Sequence, residues 1–152
     1  MEETTVTLRQ VPWDDPQAAE LRERQRVEIE RRYGPDSEPG PLPSAADVAV
    51  FLVAYVAGEP VGCGALRPLS DAAAEIKRMF VAPEWRGKGV SVRVLDGLEQ
   101  YAREQGWLAL RLETGPKQPE AIRLYERAGY VRIPNYGHYA GHDDSLCYER
   151  VL

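Results

Sequence analysis

Residues Glu75 to Leu95, EIKRMFVAPEWRGKGVSVRVL, constrain this chain more than any other stretch. They read as a strand over Glu75–Val81, a break at Ala82-Pro83, and a glycine-bearing loop, Arg86-Gly87-Lys88-Gly89, that runs straight into a helix. Such a loop turns backbone N–H groups toward one point, where the helix N-terminus adds about half a positive charge. It is a socket for a phosphate-bearing ligand.

The elements around this stretch follow from periodicity. After the loop, Ser91, Val94, Leu95, Leu98 and Ala102 share one helical face, with Val90 and Tyr101 beside them. Arg93, Asp96, Glu99, Gln100 and Arg103 fill the opposite face, and Gly106 provides a left-handed stop. Leu108–Glu113 is a further strand, which makes Glu75–Glu113 a strand–helix–strand crossover with two parallel strands. Upstream, Thr4–Val11 alternates as a first strand. Asp15 and Pro16 start a weakly amphipathic helix that reaches about Tyr33, with Ala18, Leu21, Ile29 and Tyr33 on one face.

Gly34–Ser44 holds four prolines and two glycines, so it is a loop, either a surface connection or a flap over a site. Val48–Ala57 is nearly all apolar and reads as a buried strand; Gly58-Glu59-Pro60 turns it back into Val61–Leu66. Gly62 and Gly64 fall on one face of that second strand and leave room for close packing. Pro119–Ala128 is a short helix closed by Gly129, then come strand Tyr130–Ile133, a loop over Pro134–Ser145 and a last strand, Leu146–Leu152. The expected fold is a mixed α/β sheet in the order β-α-β-β-β-α-β-α-β-β, as a single domain over residues 1–152.

Composition narrows the partners. A formal net charge of -5 argues against sequence-independent nucleic-acid binding, which needs a basic footprint, but not against a small anionic cofactor held by local amides. Cys63 and Cys147 lie far apart without a CxxC pattern, as reduced core residues do. No apolar run reaches the roughly 18 residues of a membrane span, and MEETTVTL lacks the apolar core of a signal peptide. The expectation is a cytoplasmic protein without a membrane partner.

The loop itself decides between nucleotide-binding patterns. It fits neither GxxxxGK[ST] nor GxGxxG, because Gly87-Lys88-Gly89 is followed by Val90 and Ser91. It does fit R-x-x-G-x-small, from Arg86 through Gly89 to Ser91, after a strand ending in Val-Ala-Pro. A second motif lies downstream: Gln118-Pro-Glu-Ala121-Ile-Arg-Leu-Tyr125-Glu-Arg-Ala-Gly129-Tyr130. With both motifs at this separation the chain resembles the GNAT superfamily of acyl-CoA-dependent N-acyltransferases, closely over residues 75–133. The second motif has Gln118 where the family has Asn, and Ser91 stands where Gly or Ala is usual.

The resemblance implies acetyl-CoA as cofactor. The backbone between Arg86 and Ser91, that is Arg86, Gly87, Lys88, Gly89, Val90 and Ser91, would hold its pyrophosphate. Arg86 and Lys88 would either add charge or remain solvated. Met79, Phe80 and Val81 would pair with the pantetheine arm like an added strand, and one of their amides would face the thioester carbonyl. Gln118 would bond the cofactor as the family's Asn does. Tyr125 occupies the position of the acid that protonates departing thiolate; its alternative is a core tyrosine.

Glu75 lies at an offset from the loop similar to that of a catalytic glutamate in histone-type members. It is therefore either the general base or a structural carboxylate paired with Lys77 or Arg78. Tyr33, Tyr136, His138 and Tyr139 are candidate acceptor contacts, the last three otherwise being loop packing. His138 and His142 sit four apart in a Gly-rich loop without a third soft ligand, so no metal is expected.

The implied activity is direct transfer of an acetyl group to the primary amine of a small molecule. Alternatives are peptide or protein N-terminal or lysine acetylation and a non-catalytic acyl-CoA-binding sensor. A monomer or a homodimer fits equally.

Overall fold

Val50–Val56 (β2) and Glu59–Pro68 (β3) form a hairpin whose residues are almost all buried, and the rest of the sheet grows from it. The computed structural model describes residues 5–35, 38 and 40–152. Thr7–Gln10 (β1) pairs antiparallel with β2, and Ala73–Val81 (β4) antiparallel with β3. Ala109–Thr114 (β5) joins β4 in parallel; Leu146–Val151 (β7) and Val131–Ile133 (β6) complete the far edge. Among the described residues one sheet holds seven strands in the order β1-β2-β3-β4-β5-β7-β6. The chain order of strands and helices matches the expected one, and the parallel pair lies where the crossover puts it.

Two layers of helix cover the sheet. Pro16–Tyr33 (α1) starts at Asp15, whose carboxylate accepts from the N–H groups of Gln17 and Ala18 at 3.1 and 3.0 Å. Its buried residues, Ala18 and Leu21, join Phe51, Val53, Cys63, Ala65 and Phe80 on one face of the sheet. Val90–Glu104 (α2) and Pro119–Arg127 (α3) lie on the other, where Val94, Leu95, Leu98 and Ala102 meet Leu52, Leu66, Ile76 and Leu110.

Gly62 and Gly64 let α2 approach β3. A Cβ on Gly64 would stand 2.6 Å from Met79 Sδ and 2.9 Å from Val94 Cγ1. No helix of the described residues is long and apolar enough to cross a membrane.

Three expectations shift. Strand ends move by a few residues: β4 begins at Ala73 rather than Glu75, and β3 extends from Glu59 to Pro68. Thr4 and the N-terminal residues before it, with Asp36, Ser37 and Pro39 of the proline-rich loop, lie outside the described residues. Glu99, assigned by periodicity to the outward face of α2, is buried to 3% exposure. Its Oε2 accepts from Tyr130 OH and Arg150 Nη1, each at 2.8 Å. The C-terminal strand and the turn after α3 cover that flank of the helix, which spacing within α2 cannot reveal.

Filling the gap between β3 and α2 should destabilise the fold. Gly64→Ala is expected to lower unfolding free energy by about 1–3 kcal/mol, as overpacking does, measured by urea denaturation.

Candidate active site

β4 and β5 pair over only three residues, Ala73–Glu75 against Ala109–Arg111. Beyond Glu75 the strands part, and the gap opens into a cleft of about 1420 Å³. An ordinary small-ligand pocket measures roughly 300–1,000 Å³, so the cleft has room for a long ligand and a second reactant. β4 also breaks step on its other edge, with β3. Arg78 has a φ of 59°, where the register slips between Cys63 and Ala65. A non-glycine residue held there costs about 1–3 kcal/mol, and such strain gathers at functional sites.

Past this bulge Phe80 pairs with Cys63 of β3. A residue's N–H and C=O leave an extended strand on the same edge, so Met79 and Val81 turn theirs to the cleft. The two carbonyls accept from Gln25 Nε2 at 2.9 Å and Arg86 Nε at 3.0 Å. The N–H groups beside them find no ladder partner in β5, whose pairing with β4 ends at Arg111.

The loop at the mouth of the cleft has the shape of an anion cradle. Gly87 and Gly89 have φ of 76° and 82°, and a Cβ on either would meet nothing within 4 Å, so the backbone is open to a close approach. Gly89 is the N-cap of α2, without a side-chain capping bond, and the first bond into the helix runs from Arg93 N–H to Gly89 C=O. The amides of Val90, Ser91 and Val92 therefore have no intrahelical acceptor.

Arg86 and Lys88 are engaged within the protein. The Arg86 guanidinium donates to Glu28 of α1 at 2.6 Å, and Lys88 Nζ lies 5.6 Å over the Trp85 ring. The residues present fit a pyrophosphate held by main-chain amides more than by these two cations.

Gln118 precedes α3 without making a capping bond, and its side chain lines the cleft together with Tyr125. Tyr125 is buried edge-on to Tyr130, ring centres 5.7 Å apart, and burial alone raises its pKa. Tyr33, at the end of α1, also lines the cleft. Its hydroxyl accepts from Lys117 N–H at 2.9 Å, and a Cβ on Gly115 would collide with it.

The other candidate residues sit behind the cleft wall. Glu75 is 1% exposed and is not among the lining residues. Its Oε1 accepts from Arg67 Nη2 at 2.7 Å, and its Oε2 from Tyr136 and Tyr139 hydroxyls at 2.7 and 2.9 Å. Lys77 Nζ donates to the same Tyr139 hydroxyl at 3.1 Å. Tyr136 and Tyr139 thus hold Glu75 rather than lining the cleft, and His138 packs against Gly40. Among the described residues no group of three or more His, Cys, Asp or Glu side chains is disposed to hold a metal ion.

Several cleft residues escaped the sequence reading, among them Arg22, Gln25 and Glu113. Glu113 stands near the C-terminal end of β5 and lines the cleft. Burial raises its pKa above the usual carboxylate range, while the Ser145 Oγ–H donated to it at 2.7 Å and the charge of Lys77 act the other way. The available signal was its position, since ligands of parallel sheets bind outside the carboxyl ends of strands.

The chain as a whole resembles known proteins. Residues 6–130 match the family model described as "Acetyltransferase (GNAT) family". The chain belongs to the GNAT acetyltransferase family. As a member, it is an acyltransferase.

It is 41% identical over 103 residues to IAA acetyltransferase of Azospirillum brasilense, covering 67% of each chain. It is 36% identical over 107 residues to the uncharacterized N-acetyltransferase YjgM of Escherichia coli, covering 68% of this chain and 62% of that one. A Klebsiella pneumoniae protein assigned as an acyl-CoA N-acyltransferase superposes with a TM-score of 0.83 at 30% identity, over 97% of this chain and 98% of the other. An Elizabethkingia anophelis GNAT acetyltransferase with acetyl-CoA bound shares the fold, with a TM-score of 0.72 at 17% identity and coverage of 97% and 98%.

The two carboxylates of this GNAT protein should differ in stability. Among the described residues, Glu75→Ala leaves partly buried Arg67 with only the Asp47 carboxylate, 3.6 Å away, and takes the acceptor from the Tyr136 and Tyr139 hydroxyls. It is expected to cost about 3 kcal/mol, read by thermal or urea unfolding. Glu113 behaves oppositely. Its folded pKa lies above the unfolded one, so folding stability falls as pH rises from the unfolded pKa, about 4.3, through the folded value. Glu113→Gln should therefore raise the melting temperature at pH 7 and flatten that pH dependence.

Proposed function

We propose that this protein moves an acetyl group from acetyl-CoA to the primary amine of a small molecule, directly, within a ternary complex. One observation carries the reading. A single cleft joins an open amide cradle, the free edge of β4, a buried tyrosine and a carboxyl group of raised pKa. Acetyl-CoA supplies an acyl group activated as a thioester. The amides of residues 87–91 bind its pyrophosphate, with Gln118 beside them, and the free edge of β4 at Met79 and Val81 takes its arm as an added strand, Phe80 packing behind. An N–H on that edge faces the thioester oxygen and stabilises negative charge that develops there.

The chain's own groups handle the protons. An amine is protonated near pH 7 and must lose a proton before it attacks. We assign that proton to Glu113, rather than to Glu75 as the offset from the loop suggested. Glu113 faces the cleft with a carboxyl group whose raised pKa suits a general base, whereas the Glu75 oxygens already accept from Arg67, Tyr136 and Tyr139. Tyr125, kept protonated by burial, gives its proton to the departing sulfur and is restored by the second proton, which the attacking nitrogen sheds as it becomes an amide.

No thiol competes for the acyl group. Cys63 is fully buried with its pKa pushed up to about 12, and neither it nor Cys147 lines the cleft. Two unpaired buried cysteines and an acetyl-CoA-dependent reaction suit the cytoplasm. The names of the two curated relatives support acetyl as the group and nitrogen as its destination.

Calorimetric acetyl-CoA titration and coenzyme A release with a panel of amines test the proposal. Acetyl-CoA binding without turnover on any amine would overturn it. Tyr125→Phe should lower kcat on the order of 10²-fold with acetyl-CoA affinity unchanged. Glu113→Gln should remove the acidic limb of the kcat/KM profile, which rises with pH through the Glu113 pKa. Gly89→Val, at a φ of 82°, should abolish acetyl-CoA binding while leaving the folded protein detectable by circular dichroism.

A further inference from the structure

Among the described residues three buried side-chain polar atoms have no hydrogen-bond partner: Arg22 Nε, Gln25 Oε1 and Glu38 Oε2. Such atoms are rare in a native fold; Glu38 Oε2 still has the Lys77 ammonium at 3.4 Å, whereas Arg22 Nε and Gln25 Oε1 ask for an explanation. All three residues line the cleft, and all three gather on the same three residues of β4. Gln25 is bonded to Met79, Glu38 is paired with Arg78 and Lys77, and Arg22 feels the charge of Arg78. The strained bulge residue is therefore the centre of the group.

Charge at this end of the cleft is unbalanced. Arg22, Lys77 and Arg78 bring three cations, against Glu38 among them and Glu113, which feels the charge of Lys77 from β5. The carboxylate seated among them is that of Glu38, 2.7 Å from Arg78 Nη1 and 3.4 Å from Lys77 Nζ. Arg22 has no carboxylate within ion-pair reach among the described residues. It stacks on Trp13 at 3.9 Å and donates to the Trp13 carbonyl at 2.6 Å. Burial and the neighbouring Arg78 lower its pKa, with Asp14 offsetting only part of the effect. A second ammonium here would meet like charge, so this end suits an oxyanion. Glu38 in its seat demonstrates that a carboxylate fits the local geometry.

The orphaned atoms also have the right polarity. Arg22 Nε can only donate and Gln25 Oε1 can only accept. Gln25 is fixed by its Nε2 to the Met79 carbonyl, on the edge assigned above to the thioester. Arg22 and Gln25 stand three apart on α1, so their Cβ atoms lie about 5–6 Å from each other. That spacing suits a short molecule with an amine at one end and an acid at the other.

We propose that the acceptor is an amine that carries its own carboxylate, an α- or short ω-amino acid. Arg22 and Arg78 receive the carboxylate, and Gln25 Oε1 accepts from the amine and holds it against the acyl group. The inference rests on the acetyl-transfer reading and deepens it.

The test compares matched acceptors by coenzyme A release. The proteinogenic amino acids, β-alanine and 4-aminobutyrate are set against amines of the same chain lengths without the carboxylate and against the amino-acid amides. At least one carboxylate-bearing acceptor should exceed its matched amine in kcat/KM by on the order of 30-fold, as for a buried charge pair. Arg78→Met should erase that ratio, mainly through KM, while acetyl-CoA affinity stays the same and so controls for folding. Arg22→Met carries the same expectation should Arg78→Met not fold.

Equal or better turnover of the amines lacking a carboxylate would overturn this inference and leave acetyl transfer standing. An unchanged ratio in both variants would also overturn it. Acetyl-CoA binding with no amine of any kind turned over would overturn the acetyl-transfer reading, and this one with it.

Discussion

Everything in this fold depends on how early β4 leaves β5. Three residues of parallel pairing hold the two halves of the sheet together, and the strands then separate. A sheet that stayed zipped would bury its own backbone groups and present only side chains. By parting, it exposes a row of main-chain donors on the edge of β4, in an interior where such groups must find partners. The bulge at Arg78 sets their direction, because it exchanges which residues look toward β3 and which toward the cleft. On the other side, close packing of α2 against Gly62 and Gly64 fixes where the helix begins, and hence where its first amides point.

Three glutamates show how environment divides one chemical group into separate tasks. Glu75 is saturated with donors, and its burial is compensated by Arg67. Glu99 is equally buried and ties α2 to the C-terminal strand through Arg150 and Tyr130. Glu113 lines the cleft near the end of β5, with one hydroxyl donor and a raised pKa. Burial with a single hydroxyl donor favours the neutral form of the Glu113 carboxyl group, whereas the partners of the other two tie strands and helix together. Stability and reactivity are therefore assigned to different members of the same residue type.

Much of this was legible in the chain. Asp15-Pro16 announced the first helix, the apolar run over Val50–Val56 announced the sheet's centre, and Arg86–Ser91 with Gln118–Tyr130 announced the family. These features are local, so the residues that cause them are near neighbours in sequence. What stayed hidden depends on distant partners. Glu75 is defined by hydroxyls some sixty positions away, at separations of 61 and 64 residues. The burial of Glu99 comes from residues 31 and 51 positions further on. Glu113 closed a strand like any other alternating residue, and only the divergence of its neighbour turns it toward a cavity.

The cradle and the acceptor end of the cleft share a frame through α1. Glu28 accepts from Arg86 beside the glycine loop at 2.6 Å and pairs with Arg32 on its own helix at 3.1 Å. Arg32 in turn bonds Glu120 at the start of α3, and Arg24 bonds Glu84 before the loop. One helix thus carries Arg22 and Gln25 to the proposed acceptor end while its ion pairs grip both walls of the cleft. Any ligand that alters the loop's hold on Glu28 alters the stance of α1, and thermodynamic reciprocity requires the reverse. On the proposed reading, cross-talk between the two reactants would run through those ion pairs, at a distance from any bond that is made or broken.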